Sequence, residues 1–147
     1  MSIPQYRKLA KEGFLKRFEE LELGLKHSFD KIECLQEYDE SGDESFDAFR
    51  SGHLKKSIDL LALDREEDWM KRTLGLVDKG VRFRRLRVVD TPITDYTRWE
   101  FESYKNSSDF GEEIRAVWRK DVEHLSLSDF TIFDGKILIE HKYDDLG

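Results

Sequence analysis

Lys79-Gly80-Val81-Arg82-Phe83-Arg84-Arg85-Leu86-Arg87 places five cations within nine residues of a chain whose formal net charge is −7. A guanidinium is a planar fork that matches two carboxylate or phosphate oxygens at once. Such a run supports two readings. Arg85 and Arg87 can contact an anionic small ligand or a protein partner, or the arginines can pair with the chain's own acids and guard a strand edge against aggregation. Just downstream, Thr94-Asp95-Tyr96-Thr97-Arg98-Trp99-Glu100 mixes aromatic and charged side chains. At helical spacing Tyr96 and Glu100 share a face, as do Asp95 and Arg98. That face can line a pocket, with Tyr96 and Trp99 as an apolar wall, Arg98 as a further anion contact and Glu100 orienting an arginine. It can equally be a buried aromatic stripe with its charges tied off.

A third set is Asp129, Asp134, His141 and Asp144. Two or three acids and a histidine around one hairpin suit acid–base hydrolysis of a phosphodiester, or a divalent cation. Each also has a local explanation. Asp134 belongs to an Asp-Gly turn, Asp129 caps the strand entry after Ser126 and Ser128, and His141 shares the parity of Ile137 and Ile139. No Gly-rich phosphate loop, G-x-S-x-G elbow or H-E-x-x-H occurs, so no cofactor is expected. His27, His53, His124 and His141 are scattered unlike metal ligands, and the single Cys34 excludes an intramolecular disulfide. The acidic balance argues against nucleic acid and anionic membrane as partners. No long apolar run resembles a leader or a span, so a cytoplasmic location is expected.

The elements that must position these residues read as one α+β domain over 1–147. It has a helical lead-in over 1–27 and a helix-strand-helix-strand-hairpin core over 64–147. In the lead-in, Ser2 and Pro4 suit a helix start, Gly13 interrupts, and Phe14, Leu15, Phe18, Leu21 and Leu25 resume at helical spacing. Phe29–Leu35 suits a short strand. Ser41-Gly42-Asp43-Glu44 suits a capping box opening a helix through Phe46 and Phe49 that Gly52 closes. Asp64-Arg65-Glu66-Glu67 opens another, with Trp69, Thr73, Leu76 and Val77 inward and Gly80 at its end. Val81–Val89 is strand-like, but Val81 and Phe83 fall on one parity and Leu86 and Val88 on the other. A bulge near Arg84-Arg85 is expected to reconcile them, with Arg85 and Arg87 on the side of Val81 and Phe83. A helix over 94–106, pairing Arg98 with Glu102, precedes a strand through Ile114, Ala116 and Trp118. Asp134-Gly135 then joins Phe130–Phe133 to Ile137–His141 as a hairpin. A mixed sheet with helices packed on it accounts for this order.

Several stretches together resemble an uncharacterised family found mainly in actinobacteria and often encoded beside helix-turn-helix regulators. They are Lys31-Ile32-Glu33-Cys34-Leu35 with Tyr38; Gly80, Arg84 to Val89 and Pro92; Thr94-Asp95-Tyr96 with Arg98 and Glu100; Gly111-Glu112-Glu113-Ile114-Arg115; and Asp129-Phe130, Phe133-Asp134, Tyr143-Asp144 and Gly147. The resemblance implies a regulatory or accessory protein, with a helix-turn-helix regulator as a partner. More remotely, the Gly-Val-basic strand, the Gly-Glu-Glu-Ile-Arg strand and the final hairpin are similar to half of a phospholipase-D-like fold. Catalytic members place a His and a Lys one residue apart, whereas His141 and Lys142 are adjacent here. That resemblance therefore implies a noncatalytic binding version. The expected function is a nonenzymatic regulatory or interaction protein binding an anionic ligand or a partner; the alternative is a phosphodiester hydrolase.

Overall fold

A computed structural model describes residues 8–38, 40, 42–63 and 68–143, with the Trp69 side chain outside the described set. Its first element is α1 (Lys11–Leu23), which runs straight through Gly13, so the expected break is absent. Nothing crowds that glycine: a Cβ there would meet only Leu9, at ordinary contact distance. The Ser2 and Pro4 start signals lie outside the described residues. Next come β1 (Ser28–Glu33), α2 (Glu44–Arg50), α3 (Leu54–Leu63), α4 (Asp68–Asp78) and β2 (Arg82–Val89). The chain continues through α5 (Asp95–Asp109), β3 (Glu113–Trp118), α6 (Arg119–Val122), β4 (Phe130–Phe133) and β5 (Ile137–Glu140). Helices and a mixed sheet make an α+β fold, as the patterning predicts.

Local chemistry explains most boundaries. Asp43 caps α2 by accepting the Phe46 amide at 2.8 Å; Ser41 of the expected capping box lies outside the described residues. The Asp64 start of α4 lies outside them too. That helix stops where Gly80 takes φ +94°, Gly80 N donating to Val77 O (2.9 Å) and Val81 N to Leu76 O (3.0 Å). These are the paired bonds of a glycine-terminated helix end. At the hairpin, Asp134 and Gly135 both take positive φ (55° and 67°), the backbone a tight right-twisting turn requires.

The sheet order is β3-β2-β1-β4-β5, parallel among β3, β2 and β1 and antiparallel from β1 through β4 to β5. One row crosses it as Phe83, Phe29 and Phe133. Phe18 and Leu21 of α1 and Leu76 and Val77 of α4 cover that row, forming the main core. A second core gathers Leu61, Tyr96 and Trp99 with Tyr38, Phe46 and Phe49, joining α2, α3 and α5.

The pairing of β2 is continuous with both neighbours, so the expected bulge does not exist. Simple alternation puts Phe83, Arg85, Arg87 and Val89 on the helix-covered face and Arg84, Leu86 and Val88 on the other. Its hydrophobic pattern slips because the covered face turns from aromatic to ionic halfway along the strand.

Candidate binding site

That ionic half is built by α5 lying over β1 and β2. Arg85 donates Nη1 to Glu33 Oε1 at 2.6 Å and Nε to Glu112 Oε1 at 2.7 Å, and its guanidinium stacks 5.0 Å from the Tyr104 ring centroid. Arg87, 0 % exposed, donates Nε to Glu100 Oε1 at 2.6 Å and Nη1 to the carbonyls of Glu33 and Val88, both at 3.3 Å. Burial opposes charge on both arginines, but the adjoining glutamates outweigh it and hold both pKa values above the ordinary range. Burial works against the Glu33 charge too, yet Lys31 and Arg85 hold that carboxyl below its usual value. Glu100 goes the other way: burial and then Glu33 push it up against the pull of Arg87.

These contacts change the reading of the arginine run. Arg85 and Arg87 spend their forks inside the chain. Arg84 pairs with Asp30 on the other face, and Arg82 with Glu113 at 3.1 Å. Arg98 is exposed and pairs with Asp95 at 3.0 Å, while the expected partner Glu102 takes Lys105 at 2.7 Å. Trp99 is buried, its Nε1 donating to Ser45 Oγ at 3.0 Å, so it is a core residue and lines no opening. Glu100 does orient an arginine, Arg87. Of the six expected contact residues, Tyr96 lines the larger cleft and Arg85 borders a shallower trough along β1 and β2.

The hairpin set separates as well. Asp134 accepts the backbone amides of Lys26, His27 and Ser28 at 2.7–3.2 Å, which clamps the turn to the start of β1 and lowers its pKa despite the cost of desolvation. Asp129 sits at the opposite end of β4, accepting the Cys34 amide (2.6 Å), the Tyr38 hydroxyl (2.5 Å) and the Tyr143 hydroxyl (3.2 Å). His141 packs edge-on against Phe14 and Phe18, its Nε2 2.8 Å from the buried Thr131 hydroxyl. Burial, reinforced by Lys31, depresses its pKa to about 4, so the ring is neutral near pH 7. Asp144 lies outside the described residues. Every described member of the set therefore has a structural task. Among the described residues no group of three or more His, Cys, Asp or Glu converges to hold a metal.

The open space lies beside the second core. Thr94 caps α5 by accepting the Thr97 amide at 3.1 Å, which sets Asp95 and Tyr96 at the mouth of a cleft of ≈ 870 Å³. Tyr38, Phe46 and Tyr96 form its aromatic wall, with ring centroids 5.7 Å (Tyr38–Tyr96) and 5.3 Å (Phe46–Tyr96) apart. Glu37, Glu40, Asp47 and Asp95 bring four carboxylates to the cleft against the guanidinium of Arg50 in its lining and that of Arg98, which holds Asp95 from outside. Arg50 already sits over the Phe46 ring, 5.7 Å from its centroid. Glu40 accepts the Tyr96 hydroxyl at 3.0 Å, and Asp129 holds the Tyr38 hydroxyl, so both rings are pinned by their polar ends. Rings pinned in this way beside carboxylates attract a positive group through the quadrupole and through Coulomb's law together. The sequence did carry a signal for this cleft. Glu37-Tyr38, Phe46-Asp47 and Asp95-Tyr96 each set an acid next to an aromatic.

A family model described as Domain of unknown function (DUF6879) matches residues 16–147. None of the curated proteins matches the chain. Among the described residues no helix is long and apolar enough to cross a membrane.

Proposed function

The chain belongs to the DUF6879 family, and from its geometry we propose that it is a nonenzymatic interaction protein whose cleft receives a positively charged group of a partner. The observation that carries this is the pairing of three aromatic rings, Phe46 and the hydroxyl-pinned Tyr38 and Tyr96, with four carboxylates in one opening. A cation over an aromatic face contributes about 0.5–2 kcal/mol. Two such faces with a solvated carboxylate nearby give about 2–5 kcal/mol, a dissociation constant of roughly 0.2–30 mM for a lone ammonium or guanidinium. A partner protein adds its own contacts to that anchor. The resemblance to a family encoded beside helix-turn-helix regulators makes such a regulator, presenting lysine or arginine, the first partner to test.

The test is chemical-shift mapping of the ¹⁵N-labelled protein with trimethyllysine amide and arginine amide, and with ATP as the anionic counterpart. Both cations should shift amides around 37–47 and 94–97, and exposed Asp47→Asn with Asp95→Asn should weaken the response several-fold. No shift with either cation overturns the reading.

One observation favours a second, anionic reading. Arg87 Nη2 is a buried donor with no hydrogen-bond partner among the described residues, and the guanidinium lies 5.7 Å from the centroid of the Tyr38 ring at the cleft wall. ATP shifts centred on Arg85 and Arg87 would move the site there. Turnover of bis-p-nitrophenyl phosphate that His141→Ala abolishes would replace both readings with the hydrolase.

A further inference from the structure

The helices α1, α4 and α5 all pack on one face of the sheet; the other face is covered at the Cys34 and Val88 end but open through the two residue rows before it. Ile32, Leu86, Phe130 and Ile132 are half-exposed there and line a shallow trough of ≈ 370 Å³. Leu138 on β5 is 56 % exposed beside them. An antiparallel edge commonly leaves one face solvated, but such faces are normally polar. This one has an apolar centre.

Its ordering across the strands is specific. Strand pairing aligns Arg115 (β3), Leu86 (β2), Ile32 (β1), Phe130 (β4) and Glu140 (β5) in a single row. The row begins with a cation, passes through three apolar side chains and ends with an anion, with Ile32 at its midpoint. Rotation by a half turn about an axis along β1 in front of this face lays the row upon its own reverse. Arg115 then meets Glu140 of the second copy, Leu86 meets Phe130, and Ile32 meets itself. Arg115 has no carboxylate partner among the described residues of its own chain, and Glu140 holds only the exposed Lys142 (2.7 Å) and Ser128 (3.5 Å). The neighbouring row sets Asp30 against its own copy, but Arg84 of each chain already neutralises that charge.

We infer that this open sheet face is a docking surface for a second copy of the same chain, related by a two-fold axis along β1 and keyed by Arg115 and Glu140. A closed two-fold contact of this kind uses one patch on both partners. Sheets stacked this way keep their strands within about 30° of each other at about 10 Å separation. Five strands about 4.8 Å apart and about 17 Å long give a footprint of roughly 400 Å² per copy. Together the two copies bury roughly 800 Å², below the roughly 1,200 Å² of stable complexes, so the dimer is weak and concentration-dependent.

Sedimentation velocity of the full chain from about 10 µM to about 1 mM reads the dimer directly, the weak range this area implies. Wild type should shift from monomer to dimer across that range. Arg115→Glu alone and Glu140→Arg alone should each raise the dissociation constant about tenfold or more, since each sets like charges face to face. An equimolar mixture of the two variants should dimerise like wild type, because each then supplies what the other lacks. Both substitutions are exposed, and circular dichroism checks that the fold is retained. Wild type that stays monomeric to 1 mM, a dimer indifferent to both changes, or a mixture that fails to recover overturns the inference.

Discussion

Replacing Arg87 with Met keeps the side chain long and apolar but removes its charge. The guanidinium is 0 % exposed and holds Glu100 at 2.6 Å, so the change leaves a buried carboxylate beside the like charge of Glu33 with only the Tyr104 hydroxyl to stabilise it. Removing one member of a buried ion pair costs about 3–5 kcal/mol, whereas replacing both members by neutral groups of similar size costs about 0–2 kcal/mol. Arg87→Met is therefore expected to lose about 3–5 kcal/mol, Glu100→Gln a comparable amount, and the double variant about 0–2 kcal/mol. The resulting coupling of roughly 4 kcal/mol or more marks side chains that act as a unit. A single variant falls close to unfolding, because domains of this size keep only about 5–15 kcal/mol in total. Urea titration at pH 7, followed by far-ultraviolet circular dichroism, supplies all four free energies of the cycle. Arg87→Met within about 1 kcal/mol of wild type, or strictly additive singles, would refute the assignment of this arginine to the interior. The anion-contact reading of the β2 run would then return.

Three further outcomes follow from other parts of the fold. His141 has a folded pKa of about 4 against the ordinary 6.5, so the unfolded chain binds the extra proton between those values. Stability from this group is complete above about pH 6.5 and is lost as pH falls toward about 4; His141→Gln should flatten the urea midpoint across that window. Asp134→Ala removes the acceptor for three backbone amides and puts alanine at φ +55°; with solvent competing at this exposed turn, a loss of about 1–2 kcal/mol is expected in the same titration. Gly111→Ala sets a Cβ 2.8 Å from Val77 Cγ1 at φ +98°. It should lower the thermal midpoint by several degrees, and adding Val77→Ala should not restore it, because the backbone strain of about 1–2 kcal/mol persists.

The sequence was most legible where local chemistry decides the backbone. Asp134-Gly135 dictates its turn, Gly80 its helix end, and Thr94 its cap. Reading failed where side-chain identity and burial part company. Arg85 and Arg87 look like surface residues, and only the distant Glu33, Glu100 and Glu112 make their burial affordable. The pattern of β2 therefore suggested a bulge where alternation is regular. Residues 54–63 gave no element signal, because α3 buries Ser57 and Leu61 while Leu54 and Ile58 remain exposed. Its inward contact is a pair of hydroxyls, Ser45 and Ser57 at 3.0 Å, which no apolar stripe announces. Tyr96 was picked out as a wall residue from its helix alone. Tyr38 and Phe46 come from separate segments, and tertiary packing of α2 against α5 is what brings them to it.

Asp129 ties three places to one carboxylate: the end of β1 through the Cys34 amide, the cleft wall through Tyr38, and the chain beyond β5 through Tyr143. The Tyr38 ring of the cleft wall and the segment leaving the last strand of the sheet therefore hang on one shared acceptor. The same strand carries Glu140, so occupancy of the cleft has a short mechanical route, two hydrogen bonds and a few residues long, to the edge of the opposite face.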